Sequence, residues 1–158
     1  MELKENERID DLEFKGFKII QNSEGFCFGI DAVLLSDFAK NIKNKSKVLD
    51  LGTGTGILPI LLAGKTNLEK IIGVEIQKDV YDMAKRSIAL NKLENRCEII
   101  NENILNLEKI YKKLVIIIWH KNGLVILLVI HNILPCLWKK YGVEHGSGIM
   151  RRKRKWQK

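Results

Sequence analysis

Short apolar runs alternate with helical stretches through the middle of the chain. Residues 48–51, 71–75 and 97–100 are compact, largely apolar segments, and each predicts a buried strand. Between the first two lies an unbroken apolar stretch, residues 57–63, which reads as a helix. Between the second and third, residues 79–91 place Val80, Met83, Ala84, Ser87, Ile88 and Leu90 near one face of an amphipathic helix. Asp79 suits its N-cap and Asn91 its C-terminal end. The alternation predicts a βαβαβ unit with parallel strands over residues 47–103. Two more apolar runs, 114–118 and 124–130, flank Lys121-Asn122-Gly123. Asn-Gly between apolar runs signals a hairpin. That topology departs from the parallel alternation before it and predicts an unpaired apolar edge.

The first strand runs into a loop with glycine at alternate positions, Gly52-Thr53-Gly54-Thr55-Gly56. Glycine lets the backbone adopt positive φ and lets a ligand approach the main chain. The helix that follows offers its first N–H groups to a polar or negative ligand. The dinucleotide fingerprint needs glycine at the first, third and sixth positions. Counted from Gly52 the sixth residue is Ile57, and from Gly54 it is Pro59, so that pattern fails. Glu75 ends the second strand, 19 residues after Gly56. An acid there, about 20 residues downstream, is placed to bond a ribose diol. A solvated surface acid is the plain alternative.

Asp50-x-Gly52-x-Gly54-x-Gly56 resembles motif I of S-adenosylmethionine-dependent methyltransferases, whose loop wraps the amino-acid end of that cofactor. The N-terminal segments narrow the resemblance. Arg8-Ile9-Asp10-Asp11-Leu12, Gly16-Phe17-Lys18-Ile19-Ile20-Gln21 and Gly25-Phe26-Cys27-Phe28-Gly29-Ile30-Asp31-Ala32-Val33-Leu34-Leu35 resemble the start of bacterial tRNA(Val) adenine N6-methyltransferases. The similarity spans residues 7–113. It implies an α/β, Rossmann-like sheet of βαβ units behind a short N-terminal hairpin. It implies S-adenosylmethionine as cofactor and tRNA or another nucleic acid as partner; the cysteines, far apart and odd in number, point separately to a reduced, cytoplasmic protein. It also implies that a turn containing Gly29 helps close the cofactor pocket. Asp50, Gly52, Gly54, Gly56 and Glu75 are then cofactor-binding candidates. Asn103 is a further one, at the adenine edge, where such proteins usually carry an acid. An Asn offers both donor and acceptor, and a turn or cap role accounts for it equally well.

The resemblance stops after residue 113. In that family the fourth strand leads into Asn-Pro-Pro-Tyr, whose acceptors engage the target amine and whose Tyr stacks on the flipped base. Here the residues after 114–118 are Trp119-His120-Lys121-Asn122, and the prolines are Pro59 and Pro135. No catalytic residue is therefore assigned. The expectation is a cofactor-binding half without the groups that activate the amine, or else a non-catalytic cofactor- or RNA-binding module. Composition changes at the same point. Residues 1–113 hold 18 basic and 18 acidic residues, whereas residues 114–158 hold 9 basic residues and one acid, Glu144. Every Trp and His lies in the second segment. The expected organisation is a methyltransferase N-terminal portion, 1–113, and an atypical apolar, then basic, tail, 114–158. The tail reads as a truncation or frameshift product, and the sheet is expected to be incomplete on that side.

The pI of about 9.4 thus comes from the tail. Arg151-Arg152-Lys153-Arg154-Lys155 suits a solvated terminus better than a specific nucleic-acid site, since like charges repel and extend the chain. Cys27, Cys97 and Cys136 form no Cys-x-x-Cys pair, which argues against zinc and against a disulfide scaffold. The mixed-charge start, Met1-Glu2-Leu3-Lys4-Glu5, lacks the apolar core of a signal peptide. The runs at 114–118 and 124–130 are too short and too interrupted for a spanning helix of about 20 apolar residues.

Overall fold

The computed structural model describes residues 2–25, 27–104, 106, 116–121 and 124–129. Three strands form the parallel centre of a sheet: β3 (Lys47–Leu51), β4 (Lys70–Glu75) and β5 (Cys97–Asn101). β4 pairs in parallel with both neighbours, with Val48 opposite Ile71 and Ile71 opposite Cys97. The helices α2 (Ile57–Lys65) and α3 (Lys78–Leu90) connect them. The βαβαβ unit predicted from the apolar runs is therefore present.

β6 (Ile116–Lys121) and β7 (Leu124–Val129) form the hairpin that Asn122-Gly123 predicts. Its first strand does not break the parallel arrangement. β6 pairs in parallel with β3, on the edge opposite β4, with Val48 opposite Ile116 and Leu51 opposite Trp119. β7 then turns back antiparallel, giving the order β5-β4-β3-β6-β7. One antiparallel strand on an otherwise parallel sheet is a common arrangement in α/β folds.

The N-terminal hairpin pairs β1 (Glu7–Asp11) with β2 (Lys18–Asn22). It forms its own small sheet outside the helices. α1 (Ile30–Phe38) follows, then a 3₁₀ turn, Ala39–Asn41.

Each helix follows from its residue pattern. α2 is buried from Ile57 through Ala63 because it is enclosed by the sheet, α1 and the hairpin. Pro59 is tolerated because it sits in the first turn, where an N–H has no intrahelical acceptor. α3 buries Met83, Ala84, Ser87 and Ile88 and exposes its other side. Its N-cap is Gln77, two residues before the Asp79 that its sequence suggests, so Asp79 lies in the first turn. An acid there still suits the helix dipole.

The core lies mainly on one sheet face, where Val48, Ile71, Cys97 and Ile99 meet α2 and α3. Leu49, Ile72 and Val74 point the other way and are buried with Leu51 and Ile100 packed against them. The hairpin reaches the helices through polar contacts as well as Phe14 and Phe17. Asn91 accepts the Lys18 N–H at 2.8 Å and donates to the Lys18 carbonyl at 2.6 Å. Ser87 accepts the Ile20 N–H at 2.9 Å. Side chains of α3 thus complete the free edge of β2.

Candidate functional site

The glycine loop leaves the C-terminal end of β3 and enters α2. Gly52, Gly54 and Gly56 have φ values of 75°, 59° and 86°. All three lie in the left-handed region that glycine adopts without steric cost. The loop is tied to the neighbouring strand: the Gly52 and Thr53 N–H groups both donate to the Val74 carbonyl, at 2.9 and 3.0 Å. A Cβ on Gly56 would lie 3.3 Å from that of Ala84, so glycine there also lets α3 pack close.

Two buried carboxylates hold the loop. Asp50, in β3, accepts the Thr53 hydroxyl at 2.6 Å. Glu75, at the tip of β4, accepts the Gly54 N–H at 3.1 Å and the Gln77 N–H at 2.9 Å, one on each oxygen. A carboxylate has about four acceptor positions, so these bonds leave Glu75 further capacity. Asp50, Gly52, Gly54, Gly56 and Glu75 are thereby brought together at one end of the sheet.

Asn103 follows β5, two residues after Asn101, the strand partner of Glu75. Its N–H donates to Glu102 Oε1 at 2.7 Å, and its carbonyl accepts the Asn106 N–H at 2.9 Å. It opens a turn, as one of its two readings anticipates. Hydrogen bonds from the Asn106 side chain and the Asn103 backbone hold the Glu102 carboxyl below the usual carboxylate range. Gly29 belongs to another element, at the N-cap position of α1.

Sequence reasoning missed three supporting residues. Thr53 locks Asp50, but any loop threonine looks alike in sequence. Gly73 faces Thr53, and a Cβ there would lie 2.7 Å from the Thr53 hydroxyl and 2.8 Å from Ile99. A glycine inside an apolar strand is the available signal for such close approach. Asn101 donates to the carbonyls of Glu75 and Ile76 at 2.8 and 3.0 Å, clamping the tip of β4.

A cavity of about 260 Å³ opens elsewhere, between the N-terminal hairpin, α1 and α2, with Leu12, Phe28, Val33 and Ile57 among its walls. Neither Glu75 nor any loop glycine lines it. Burial pushes the Cys97 thiol up to about 12, so it stays protonated. Among the described residues no His, Cys, Asp or Glu cluster is placed to hold a metal. No helix among them is long and apolar enough to cross a membrane.

Comparison with known proteins agrees with this fold. Residues 31–156 match the family described as ribosomal protein L11 methyltransferase (PrmA). A tRNA1(Val) (adenine(37)-N6)-methyltransferase of Flavobacterium johnsoniae is 39% identical over 72 residues, 46% of this chain and 31% of that protein. One from Tolumonas auensis is 31% identical over 104 residues, 65% of this chain and 44% of that protein. The chain thus spans less than half the length of these curated relatives. Among solved structures, P. horikoshii TYW2 in complex with MeSAdo superposes with a TM-score of 0.58 at 19% identity, covering 88% of this chain and 62% of that one. M. jannaschii TYW2 in complex with AdoMet gives 0.51 at 23% identity, covering 63% and 45%. These likenesses concern the fold.

Proposed function

Because the chain belongs to the family of the ribosomal protein L11 methyltransferase (PrmA), we propose that it binds S-adenosylmethionine at the glycine loop and Glu75. The observation that carries this reading is the placement of the Glu75 carboxylate against the Gly54 N–H, at 3.1 Å. The acid predicted to meet a ribose and the loop predicted to meet the amino-acid end form one structure.

The residues present fit such a cofactor. A Cβ on Gly54 would meet nothing within 4 Å, so the loop backbone is open at its centre. Glu75 keeps acceptor capacity for a diol, and the first turn of α2 points N–H groups at the loop. Gly52, Gly54 and Gly56 line the cofactor loop in this assignment. Asp50 supports it through Thr53, Asn103 stands at the adenine edge, and Gly29 borders the pocket from the N-terminal turn. When bound, the sulfonium supplies an electrophilic methyl group. The chain's own part is to hold it in line with an acceptor, since positioning is the main protein contribution to such a transfer.

For the acceptor we propose a tRNA adenine amine. The family description names a ribosomal protein, whereas the curated relatives are tRNA adenine methyltransferases. The similarity of the N-terminal segments, residues 8–35, favours the tRNA.

A second reading, cofactor or RNA binding without transfer, is favoured by the end of β6. There the backbone runs on past the level of Leu51, through His120 and Lys121, into the ladder with β7. The sequence at that point lacks Asn-Pro-Pro-Tyr. An aromatic amine is a weak nucleophile because its lone pair is delocalised, and nothing in Trp119-His120-Lys121-Asn122 replaces the paired acceptors. Calorimetric titration of the purified chain with S-adenosylmethionine tests the common core of both readings. Saturable one-to-one binding supports it, and absence of heat at millimolar ligand refutes it.

A further inference from the structure

Among the described residues Gln21 is one of the few fully buried polar side chains, 2% exposed, beside Ile20 in β2. A buried amide is costly unless both its ends are bonded. Here both are. Its Oε1 accepts the Phe28 N–H at 2.9 Å, and its Nε2 donates to Asp10 Oδ2 at 2.5 Å. The amide orientation follows from its partners, because an N–H needs an acceptor and a carboxylate needs a donor. Asp10 is itself fixed by the Arg8 Nε, at 2.8 and 3.1 Å to its two oxygens.

This relay ends at the turn that leads into α1. Gly29 occupies the N-cap position and supplies no side-chain cap, so the helix start depends on the segment before it. Phe28 and Val33 face the same cavity as Ile57, the first residue of α2 after the glycine loop. Phe28 also packs against the buried cluster that contains Ile57, so its placement bears on the start of α2.

We propose that Gln21 is a positioning residue for the cofactor pocket. Its amide ties the Phe28–Gly29 turn to β1 and so sets where Gly29 and the start of α1 stand relative to the glycine-loop helix. This inference rests on the reading of the glycine loop and Glu75 as the cofactor site.

The test compares the full chain with Gln21→Leu, with the double variant Gln21→Glu/Asp10→Asn, and with Leu68→Ala. In the double variant donor and acceptor exchange places. An amide at position 10 donates to a carboxylate at position 21, which still accepts the Phe28 N–H. Leu68→Ala removes a buried core side chain just before β4, at the end away from Glu75, one that lines neither the relay nor the cavity. Three quantities are read: amide exchange at residues 27–32, S-adenosylmethionine affinity by calorimetry, and Tm.

Gln21→Leu is expected to speed exchange at Phe28 and to weaken affinity about tenfold, the scale of one buried hydrogen bond. The double variant restores both. Leu68→Ala lowers Tm and leaves affinity unchanged. If the leucine variant fails to fold, Gln21→Glu alone serves, since two facing carboxylates should make affinity fall as pH rises until Asp10→Asn is added. Faster Phe28 exchange with wild-type affinity overturns the proposal and leaves the cofactor site standing. An affinity loss in Leu68→Ala that tracks Tm as it does in Gln21→Leu also overturns it. A wild-type chain that binds no cofactor removes the site reading itself, and this proposal with it.

Discussion

At the scale of single residues, Glu75 holds the site together from both sides. Its carboxylate takes two backbone N–H groups from different segments, the glycine loop and the entry to α3. Both bonds are charge-assisted, which makes them stronger than neutral ones. Glu75→Ala should weaken S-adenosylmethionine binding by about 1.5–3 kcal/mol. Titration calorimetry on variant and wild type measures this, and equal affinities would remove Glu75 from the site. Glu75→Gln separates charge from shape. It keeps one acceptor oxygen and should fall between the two.

At the scale of elements, the N-terminal hairpin depends on α3 rather than on its own two strands, since an isolated hairpin is marginal in water. Asn91 makes both bonds to Lys18 and also donates to the Ser87 carbonyl at 2.7 Å. Asn91→Ala should destabilise the fold by about 1–3 kcal/mol. Hydrogen exchange should rise first in β1 and β2, while β3 and β4 stay protected. Uniform loss of protection would show that the hairpin and the sheet form one cooperative unit.

Charge reinforces the same junction. Arg86 grips Glu7 with two nitrogens, at 2.5 and 2.8 Å, and Asp82 with a third at 2.8 Å. The Arg86 hydrogen bond holds the Glu7 carboxyl below the usual range, and the Lys4 ammonium does the same for Asp82. A carboxyl depressed in the folded state stabilises it above the ordinary pKa, about 4.3 for Glu, and stops doing so as pH falls through the lowered value. The hairpin junction should therefore loosen on acidification below about pH 4. Circular dichroism against pH, with Glu7→Gln beside wild type, measures it. The variant should be less stable at neutral pH and less sensitive to acid.

At the scale of the whole molecule, the end of the sheet proposed to hold the cofactor is assembled from β3, β4 and β5, while the position beyond β3 is taken by a hairpin strand. Losing one preorganised partner of a transition state costs other enzymes about 100- to 1000-fold. This sequence lacks the amine acceptors and the stacking Tyr together. The expected outcome is cofactor binding with negligible transfer to tRNA. An assay with radiolabelled S-adenosylmethionine and bulk tRNA, beside a chain that carries Asn-Pro-Pro-Tyr, decides it. Comparable turnover would show that residues 119–122 supply an active site of another kind.

The sequence alone determined the central βαβαβ unit, because period and composition are local: short apolar runs, an all-apolar helix and an amphipathic one. It determined the loop as well, since glycine at alternate positions after a strand has few other uses. It offered Glu75 as a candidate by distance along the chain, and turn chemistry anticipated the antiparallel pairing of β6 with β7. What it could not supply were relations between segments far apart in order. Whether the last hairpin joined the sheet depended on which edge of β3 was free. The lock between Thr53 and Asp50, the close approach across Gly73, and the docking of β2 on Asn91 and Ser87 are contacts that exist only after packing. The buried amide of Gln21 belongs with them: in sequence it is an unremarked polar residue beside two isoleucines. Only the tertiary structure places its two partners, Asp10 and Phe28, within hydrogen-bond reach.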